Sequence, residues 1–324
     1  MRYRAIDYWD RLLSKDESYL KNFFSKQHNF NDRKNYFSDL VEVINLETSS
    51  SCNRKCTYCP VSVVDRTSKF LIDNELFKRI LSDLSTIKYS KNITLNLYNE
   101  PLMDAQFVSK VKIIKDILPD CFLNFNSNGD YLNKKNFKEI LYSGADEIRI
   151  TLHSDKKNYN VDKQFLRYKK FFNQIGLDSS LINEIVVDSN QNMRFEKIIN
   201  NSNFLVMSNN WSAFGNDRGG IIDSLSLKSD RINPCMKPIR EITIGYDGYV
   251  YPCCQIIPDA INDNYKIGSL NQDSIFDLYF SELLTQFKRS MFVFGEKKYP
   301  PCNSCADIDN SKNDSEFLRN QIIG

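Results

Sequence analysis

Leu40-Val-Glu-Val-Ile-Asn-Leu46 is followed, after residues 47–51, by Cys52-Asn-Arg-Lys-Cys56-Thr-Tyr-Cys59. The first segment alternates apolar and polar residues, which predicts a β-strand. The three cysteines fall in the loop after that strand, and in α/β barrels this is the face that carries the chemistry. Three thiolates can bind three irons of a cubane cluster and leave the fourth iron open to a chelating ligand. The segment therefore predicts a four-iron cluster held by Cys52, Cys56 and Cys59.

A structural zinc ion is the alternative for these three cysteines. Structural zinc takes four protein ligands in a tetrahedral arrangement. Asp65 is a poor fourth ligand, and the loop otherwise lacks His and further Cys. The iron cluster is therefore the favoured interpretation.

Downstream of the cysteine loop, strands and helices alternate. Strands are predicted at 92–98, 121–125, 147–152, 184–187 and 204–207, and helices at 73–87, 104–118, 133–142, 161–175 and 193–200. Together with 40–46 this gives six strand–helix units, which favours a parallel sheet with right-handed crossovers. Six units are fewer than the eight of a closed barrel. The predicted fold is therefore α/β, an open, partial (β/α)6 barrel followed by a small α+β domain.

The predicted organisation has four segments. A helical lead-in covers 1–38, the partial barrel 39–210, an irregular bridge 211–234 and the small C-terminal domain 235–324. The C-terminal domain begins with a β-hairpin that turns at Asp247-Gly248, and a helix is predicted from Ser274 to about Phe292.

Composition limits the classes of partner and compartment. Lys and Arg number 43 and Asp and Glu 41, so the net charge of +2 gives no electrostatic reason to expect nucleic acid or an anionic membrane as the main partner. Residues 1–11 lack the apolar core of a signal peptide, and no stretch is long and apolar enough to span a membrane. Eight of the nine cysteines lie in tight groups, which in a reducing compartment more often bind metal than form disulfides. We expect a cytoplasmic protein.

The second group of cysteines is predicted to hold another cluster. Its members are Cys235, Cys253, Cys302 and Cys305. Four thiolates close all four irons of a cubane, which suits electron transfer or substrate placement. A zinc ribbon is the alternative for the same four residues. Cys254 is the other candidate for the ligand position at Cys253, and Cys121 is predicted to be a core residue.

The spacing CxxxCxxC, with Tyr58 before the last cysteine, resembles the radical S-adenosylmethionine (SAM) superfamily. The resemblance implies that SAM binds the open iron and that polar residues at the ends of the strands contact the cofactor. The residues that match these positions are Tyr58, Asn99, Glu100, Ser127, Asn128 and Thr151. The resemblance also places His153 in the pocket, where a proton-transfer role is a hypothesis.

The C-terminal cysteines, with Ile267-Gly268-Ser-Leu270 between them, resemble the auxiliary SPASM and twitch domains of these enzymes. Residues 306–324 contain no further cysteine, so a single auxiliary [4Fe-4S] cluster is implied, as in the shorter twitch arrangement. Resemblance to aminocyclitol dehydrogenases and related carbohydrate-modifying enzymes implies a 5′-deoxyadenosyl radical that abstracts hydrogen from a sugar, aminosugar or cyclitol, with oxidation of the substrate. It also implies a flavodoxin- or ferredoxin-type electron donor.

Three other functions remain open at this point. One is a peptide-modifying enzyme, although neither a leader-binding domain nor a full SPASM module is evident. The second is an epimerase in which the thiol of Cys254 returns a hydrogen atom to the substrate radical. The third is a non-catalytic zinc-bearing interaction protein.

Overall fold

The computed structural model describes residues 8, 11–12, 14–25, 28–154, 159–210, 217–226, 229–258, 260–293 and 295–305. The first part of the predicted bridge, 211–216, and the tail 306–324 of the predicted C-terminal domain lie outside the described residues. The chain divides into two compact units. The barrel unit comprises residues 45–215, and the auxiliary unit comprises residues 1–44 together with 216–324.

The helices of the described residues are α1 (Glu17–Phe23), α2 (Phe30–Leu40), α3 (Asn74–Ser85), α4 (Phe107–Ile117), α5 (Lys134–Leu141), α6 (Val161–Ile175), α7 (Lys237–Arg240), α8 (Ile275–Tyr279) and α9 (Glu282–Phe292). The strands are β1 (Val43–Leu46), β2 (Asn92–Thr94), β3 (Phe122–Ser127), β4 (Glu147–Thr151), β5 (Val186–Val187), β6 (Met193–Ile199), β7 (Ser202–Ser208), β8 (Glu241–Ile244), β9 (Tyr249–Tyr251) and β10 (Gly268–Ser269).

The sheet of the barrel unit confirms the predicted open α/β architecture. Its strand order is β1-β2-β3-β4-β7-β6-β5. The pairs β2–β3, β3–β4 and β4–β7 are parallel. Because the ends of parallel strands meet at one edge of the sheet, the residues that follow β2, β3 and β4 are brought to the same edge.

The predicted helix at 193–200 is wrong. These residues form β6, which pairs antiparallel with β7 and with β5. Asn200 and Asn201 both have positive φ, at 50° and 65°, which is the backbone of a tight hairpin turn and one that asparagine tolerates. Met193 and Phe195 are buried, so the segment has the two-residue period of a strand rather than the helical period.

One face of the sheet packs against helices through aromatic pairs. Phe107 of α4 lies 4.8 Å from Phe125 of β3, ring centre to ring centre. The corresponding distance is 5.0 Å between Phe137 of α5 and Phe204 of β7. Side chains alternate along a strand, so the neighbours of these phenylalanines in sequence point to the opposite face of the sheet.

The auxiliary unit contains the predicted hairpin. β8 and β9 are antiparallel, and the turn between them includes Gly248 with a φ of 80°. The predicted continuous helix from Ser274 is wrong in one respect, because it is broken into α8 and α9 at Ser281. The hydroxyl of Ser281 accepts a hydrogen bond from the Leu284 N–H and so begins a new helix there.

Candidate active site and cluster-binding sites

The loop of Cys52, Cys56 and Cys59 is compact, and all three thiols are half-buried. The N–H of Cys59 donates to the carbonyl of Cys56 at 2.9 Å, and the N–H of Cys52 lies 3.4 Å from the carbonyl of Arg66. The loop is therefore held at its start by a residue that lies beyond its last cysteine.

A buried ion pair fastens both ends of this loop. Nη1 of Arg66 is 2.8 Å from Oε1 of Glu47 and 3.2 Å from the carbonyl of Ser50, and both charged side chains are almost completely buried. Oε1 of Glu47 also accepts the Tyr98 N–H at 2.9 Å. Glu47 and Arg66 thus join the end of β1, the cysteine loop and the segment after β2. This ion pair could not be predicted from the sequence, because no local pattern links residues so far apart in the chain.

Glu100 lies in the same place, with its carboxylate buried. It accepts hydrogen bonds from the Ser127 hydroxyl at 2.7 Å, the Asn128 N–H at 2.7 Å and the Leu102 N–H at 3.1 Å. Burial raises the pKa of Glu100 to about 7, while these hydrogen bonds act in the opposite direction. Burial likewise raises the thiol pKa of Cys52 to about 11, and the charge of Glu100 adds to that rise. The Glu100 N–H donates to the carbonyl of Ser51 at 2.9 Å, so Glu100 lies beside the start of the cysteine loop.

The other residues predicted to contact the cofactor lie either next to the Glu100 carboxylate or at the ends of the strands. Ser127 and Asn128 meet at Glu100. The side-chain amide of Asn99 donates to the Ser49 hydroxyl at 2.9 Å and its oxygen accepts the Leu97 N–H at 3.1 Å, so its contacts are with the surrounding loops. Thr151 ends β4, half-buried, in register with Met207.

Tyr58 and His153 are in direct contact. The Tyr58 hydroxyl is 2.5 Å from Nδ1 of His153, and the guanidinium of Arg167 donates to the carbonyl of His153. They lie beside a cleft of about 200 Å³ that carries several positive charges. The residues that line the cleft are Arg54, Asn128, Gly129, Asp130, Leu152, His153, Arg167, Lys170, Phe171 and Gln174. Arg54 is paired with Asp130 at 2.6 Å.

The opposite face of the sheet carries many polar side chains, and the strand register places Phe122, Leu205 and Met207 on the same face. Its polar residues are Asn92 and Thr94 of β2, Asn96 just after β2, Asn124 and Asn126 of β3, Glu147 and Arg149 of β4, and Asn203 of β7. The amide oxygen of Asn96 accepts the Asn126 N–H at 2.8 Å, and Asn126 is in register with Arg149. Nε of Arg149 donates to Glu147, and within the described part of the chain its Nη atoms form no hydrogen bond.

The four cysteines of the second group all belong to the auxiliary unit, and all are buried. The Cys235 N–H donates to the Met291 carbonyl at 2.8 Å, and the Cys305 N–H lies 3.3 Å from the Cys302 carbonyl. Burial raises the thiol pKa of Cys253 well above its usual value, and the charges of Cys302 and Cys235 raise it further. Cys235 and Cys302 pack in one buried cluster with Met291.

Cys254 is half-buried next to this group. Its N–H donates to Oε1 of Glu241 at 2.8 Å, and its Sγ is 3.9 Å from Nζ of Lys237. Which of Cys253 and Cys254 binds a metal stays a prediction. Cys121, predicted to be a core residue, is 2% exposed.

Two sequence families match this arrangement. The profile of the Radical SAM superfamily matches residues 46–176, and that of the SPASM iron–sulfur cluster-binding domain matches residues 235–306. The chain contains a radical SAM domain followed by a SPASM-type iron–sulfur domain. Its two domains bind SAM, a SAM-binding cluster and an auxiliary cluster.

Individual proteins are similar over most of the chain. S-adenosyl-L-methionine-dependent 2-deoxy-scyllo-inosamine dehydrogenase of Niallia circulans is 24% identical over 270 residues, which cover 83% of this chain and 94% of that protein. A tungsten-containing aldehyde ferredoxin oxidoreductase cofactor-modifying protein of Pyrococcus furiosus is 20% identical, with 82% and 87% covered. The crystal structure of BtrN in complex with AdoMet and 2-DOIA superposes with a TM-score of 0.62 at 22% identity, covering 83% of this chain and 94% of that one.

The residues present fit the radical SAM cofactors. Glu100 is a buried carboxylate that forms no ion pair with any cation in the described part of the chain. A buried carboxylate without a countercharge suits a positively charged ligand group such as the amino group of SAM. At the second site the four thiols are buried, and thiolates are the ligands that iron–sulfur clusters take.

The structure also shows residues that the sequence analysis overlooked. Arg149, Asn96 and Asn126 were predicted only as parts of strands. Their signal was present, since polar residues alternate with apolar ones along these strands: Asn92, Thr94 and Asn96; Asn124 and Asn126; Glu147, Arg149 and Thr151. None of the helices in the described ranges has the length and apolar character needed to cross a membrane.

Proposed function

We propose that this radical SAM enzyme oxidises a polyhydroxylated small molecule, a carbohydrate, aminosugar or cyclitol, at a carbon that bears a hydroxyl group. The observation that carries the proposal is the polar sheet face with Arg149 at its centre. Amide side chains both donate and accept hydrogen bonds, and an arginine offers several donors in a fixed plane. Such a surface suits a ligand with many hydroxyl groups better than an apolar one.

Arg149 is the residue we assign to the substrate. Its side chain is 27% exposed, its Nε is held by Glu147, and its Nη atoms remain for a ligand. The hydrogen bond to Glu147 fixes the guanidinium plane before a substrate arrives. Preorganised donors of this kind lose little conformational entropy on binding.

The cofactor is assigned to the residues at the strand ends. Glu100, whose carboxylate is held by Ser127 and Asn128, would bind the amino group of SAM, and the positive charges of the cleft would suit its carboxylate. Cys52, Cys56 and Cys59 hold the first cluster. When bound, these groups supply a 5′-deoxyadenosyl radical, which takes a hydrogen atom from the substrate.

Oxidation then requires the substrate radical to lose one electron and the proton of its hydroxyl group, which leaves a carbonyl. We assign the proton to His153, whose imidazole is held by the Tyr58 hydroxyl. The auxiliary cluster, bound by Cys235, Cys253, Cys302 and Cys305, supplies a one-electron acceptor. A flavodoxin- or ferredoxin-type protein is the proposed external carrier, and the cytoplasm, where thiols stay reduced, is the proposed compartment.

The test uses the reconstituted enzyme under anaerobic conditions with SAM, a reductant and separate panels of aminocyclitols, aminosugars and short peptides. We expect one of the small molecules to lose two hydrogens, detected by mass spectrometry. Arg149→Gln should lower this oxidation at least tenfold, the value of a lost hydrogen bond to a charged donor. Lys197→Met, which alters an exposed β6 residue paired with Glu184, is the matched control.

Other products would overturn the proposal. Modification of a peptide with no change in any small molecule would assign the enzyme to peptide maturation. An unoxidised product that carries solvent deuterium, lost in Cys254→Ala, would make it an epimerase with Cys254 as hydrogen donor.

A further inference from the structure

Two cationic side chains are buried beside the auxiliary cysteines. Arg231 is 3% exposed and Lys298 is 2% exposed. Their neighbours in sequence are exposed instead: Lys297 and Asp230 form an ion pair of 2.8 Å on the surface. Buried cationic side chains are rare, so the surroundings of Arg231 and Lys298 bear on their role.

Arg231 connects two of the three segments that carry the auxiliary cysteines. Its N–H donates to the carbonyl of Asn303, between Cys302 and Cys305, at 2.7 Å. Its guanidinium donates to the carbonyl of Pro234, directly before Cys235, at 2.8 Å. The positive charge is therefore held beside Cys235, and the backbone of Arg231 adjoins the loop of Cys302 and Cys305.

Lys298 lies next to Arg231 and is held by hydrogen bonds to backbone carbonyls. Its N–H lies 3.2 Å from the Arg231 carbonyl, and its Nζ donates to the carbonyls of Ser290, at 2.9 Å, and Val293. Among the described residues it forms no ion pair. Burial lowers the pKa of Lys298, since a buried ammonium group whose hydrogen bonds go to carbonyls is costly unless an anionic group completes the site.

The charges in this region act on the cysteines. Burial is the largest influence on the thiol pKa of Cys302 and raises it to about 12, whereas the positive charges of Arg231 and Lys298 act to lower it. Two carboxylates lie in the same region: Asp217, which accepts from the Ser304 hydroxyl at 2.9 Å, and Glu241, which accepts the Cys254 N–H. Because the site is buried, these charges are weakly screened by solvent.

We propose that Arg231 and Lys298 are positioning residues that raise the reduction potential of the auxiliary cluster and so make it able to accept the electron of the substrate. A cluster bound by four thiolates is anionic, and reduction adds a further negative charge. Fixed positive charges nearby stabilise the reduced form more than the oxidised form, since the potential depends on the net charge and hydrogen bonds around the cluster. The use of that electron rests on the proposed dehydrogenase function, whereas the effect on the potential does not.

The experiment measures the midpoint potential of the auxiliary cluster alone. The background is Cys52→Ala/Cys56→Ala/Cys59→Ala, which lacks the first cluster, and the potential is read by electron paramagnetic resonance during a redox titration without SAM or substrate. Arg231→Gln and Lys298→Met should each shift the potential to more negative values, and the double variant should shift it further. Lys297→Met, which removes an exposed charge from the neighbouring residue, should leave it unchanged.

The conservative variant Arg231→Lys separates charge from structure, because it keeps the charge and loses the bond geometry. It should retain most of the wild-type potential. Wild-type potentials in Arg231→Gln and Lys298→Met would overturn the proposal, as would an equal shift in Lys297→Met. If Lys298→Met fails to bind iron, Lys298→Gln and Arg231→Gln decide the matter by the same criterion. If the variants show the predicted shifts but the wild-type enzyme oxidises none of the small molecules, the proposed function is refuted and this inference still holds.

Discussion

Glu100 combines two opposing influences in one side chain. Burial favours its neutral form and raises its pKa to about 7, whereas hydrogen bonds from Ser127, Asn128 and Leu102 favour the anion. The carboxylate therefore titrates near neutral pH instead of near its usual value of about 4.3. An ammonium group bound against it requires the ionised form.

The affinity for SAM should therefore depend on pH around 7. As the pH falls below about 7 the ionised fraction of Glu100 falls about tenfold per unit, and the affinity should fall with it. Glu100→Gln should weaken binding by ~1–3 kcal/mol at pH 8, the usual cost of losing a charge-assisted contact. It should also flatten the pH profile. Calorimetry with the reconstituted enzyme between pH 6 and 8 measures both effects.

Asp65→Asn is the control for this prediction. Asp65 is an exposed carboxylate near the cysteine loop, hydrogen-bonded to Thr67. Its substitution should leave the affinity and its pH profile as they are. A steep profile that persists in Glu100→Gln would move the amino-group contact to another residue.

At the level of helices and strands, most of the correct predictions came from local sequence signals such as helix caps. Asp73, Asn133 and Asn160 cap α3, α5 and α6 with their side chains, and Gly176 ends α6 in the left-handed region. These signals are local, so the helices could be placed from the sequence. The helix at 193–200 was mispredicted because its strand character depends on pairing with β7, a tertiary effect that overrides weak local preference.

Gly129 lies just after β3, where a residue with a side chain would have both a strained backbone and close side-chain contacts. Its φ is 76°, and an added Cβ would lie 2.9 Å from side-chain atoms of Ile150 and of Phe171. Gly129→Ala should therefore destabilise the protein by ~2–4 kcal/mol, the sum of about 1 kcal/mol for the left-handed backbone and 1–3 kcal/mol for overpacking. Denaturant unfolding measures the change.

Gly295→Ala is the matched variant for this comparison. Gly295 has a φ of 80°, but no atom lies within 4 Å of the added Cβ. It should show the backbone effect alone, about 1 kcal/mol. Equal destabilisation by the two substitutions would show that contacts around Gly129 tolerate a methyl group.

At the scale of the whole molecule, the two cysteine groups could be predicted from the sequence, but the residues that surround them in the fold could not. Cysteine spacing is local in the chain, so the ligands of both clusters could be predicted. The pair of Glu47 and Arg66, the polar face around Arg149 and the cations at the auxiliary site depend on contacts between distant segments. These contacts form only when the chain folds, and no single spacing predicts them.

Two separate clusters give a direct expectation for metal content. Anaerobic reconstitution should give about eight irons per chain, from two clusters of four. Cys52→Ala/Cys56→Ala/Cys59→Ala should retain about half of that iron, and Cys121→Ala, a buried cysteine outside both groups, should retain all of it. Iron and sulfide analysis checks both. Full iron content in the triple variant would contradict the assignment of the first cluster.

The most direct test of the whole account is the formation of 5′-deoxyadenosine from SAM by the reduced, reconstituted enzyme, measured by chromatography with mass detection. The account predicts formation by the wild-type enzyme, none by Cys56→Ala, and continued formation by Cys302→Ala/Cys305→Ala, which would lose only the oxidation of substrate. Formation of 5′-deoxyadenosine by Cys56→Ala at the wild-type rate, or its absence in wild-type enzyme that contains the full complement of iron, would contradict the account.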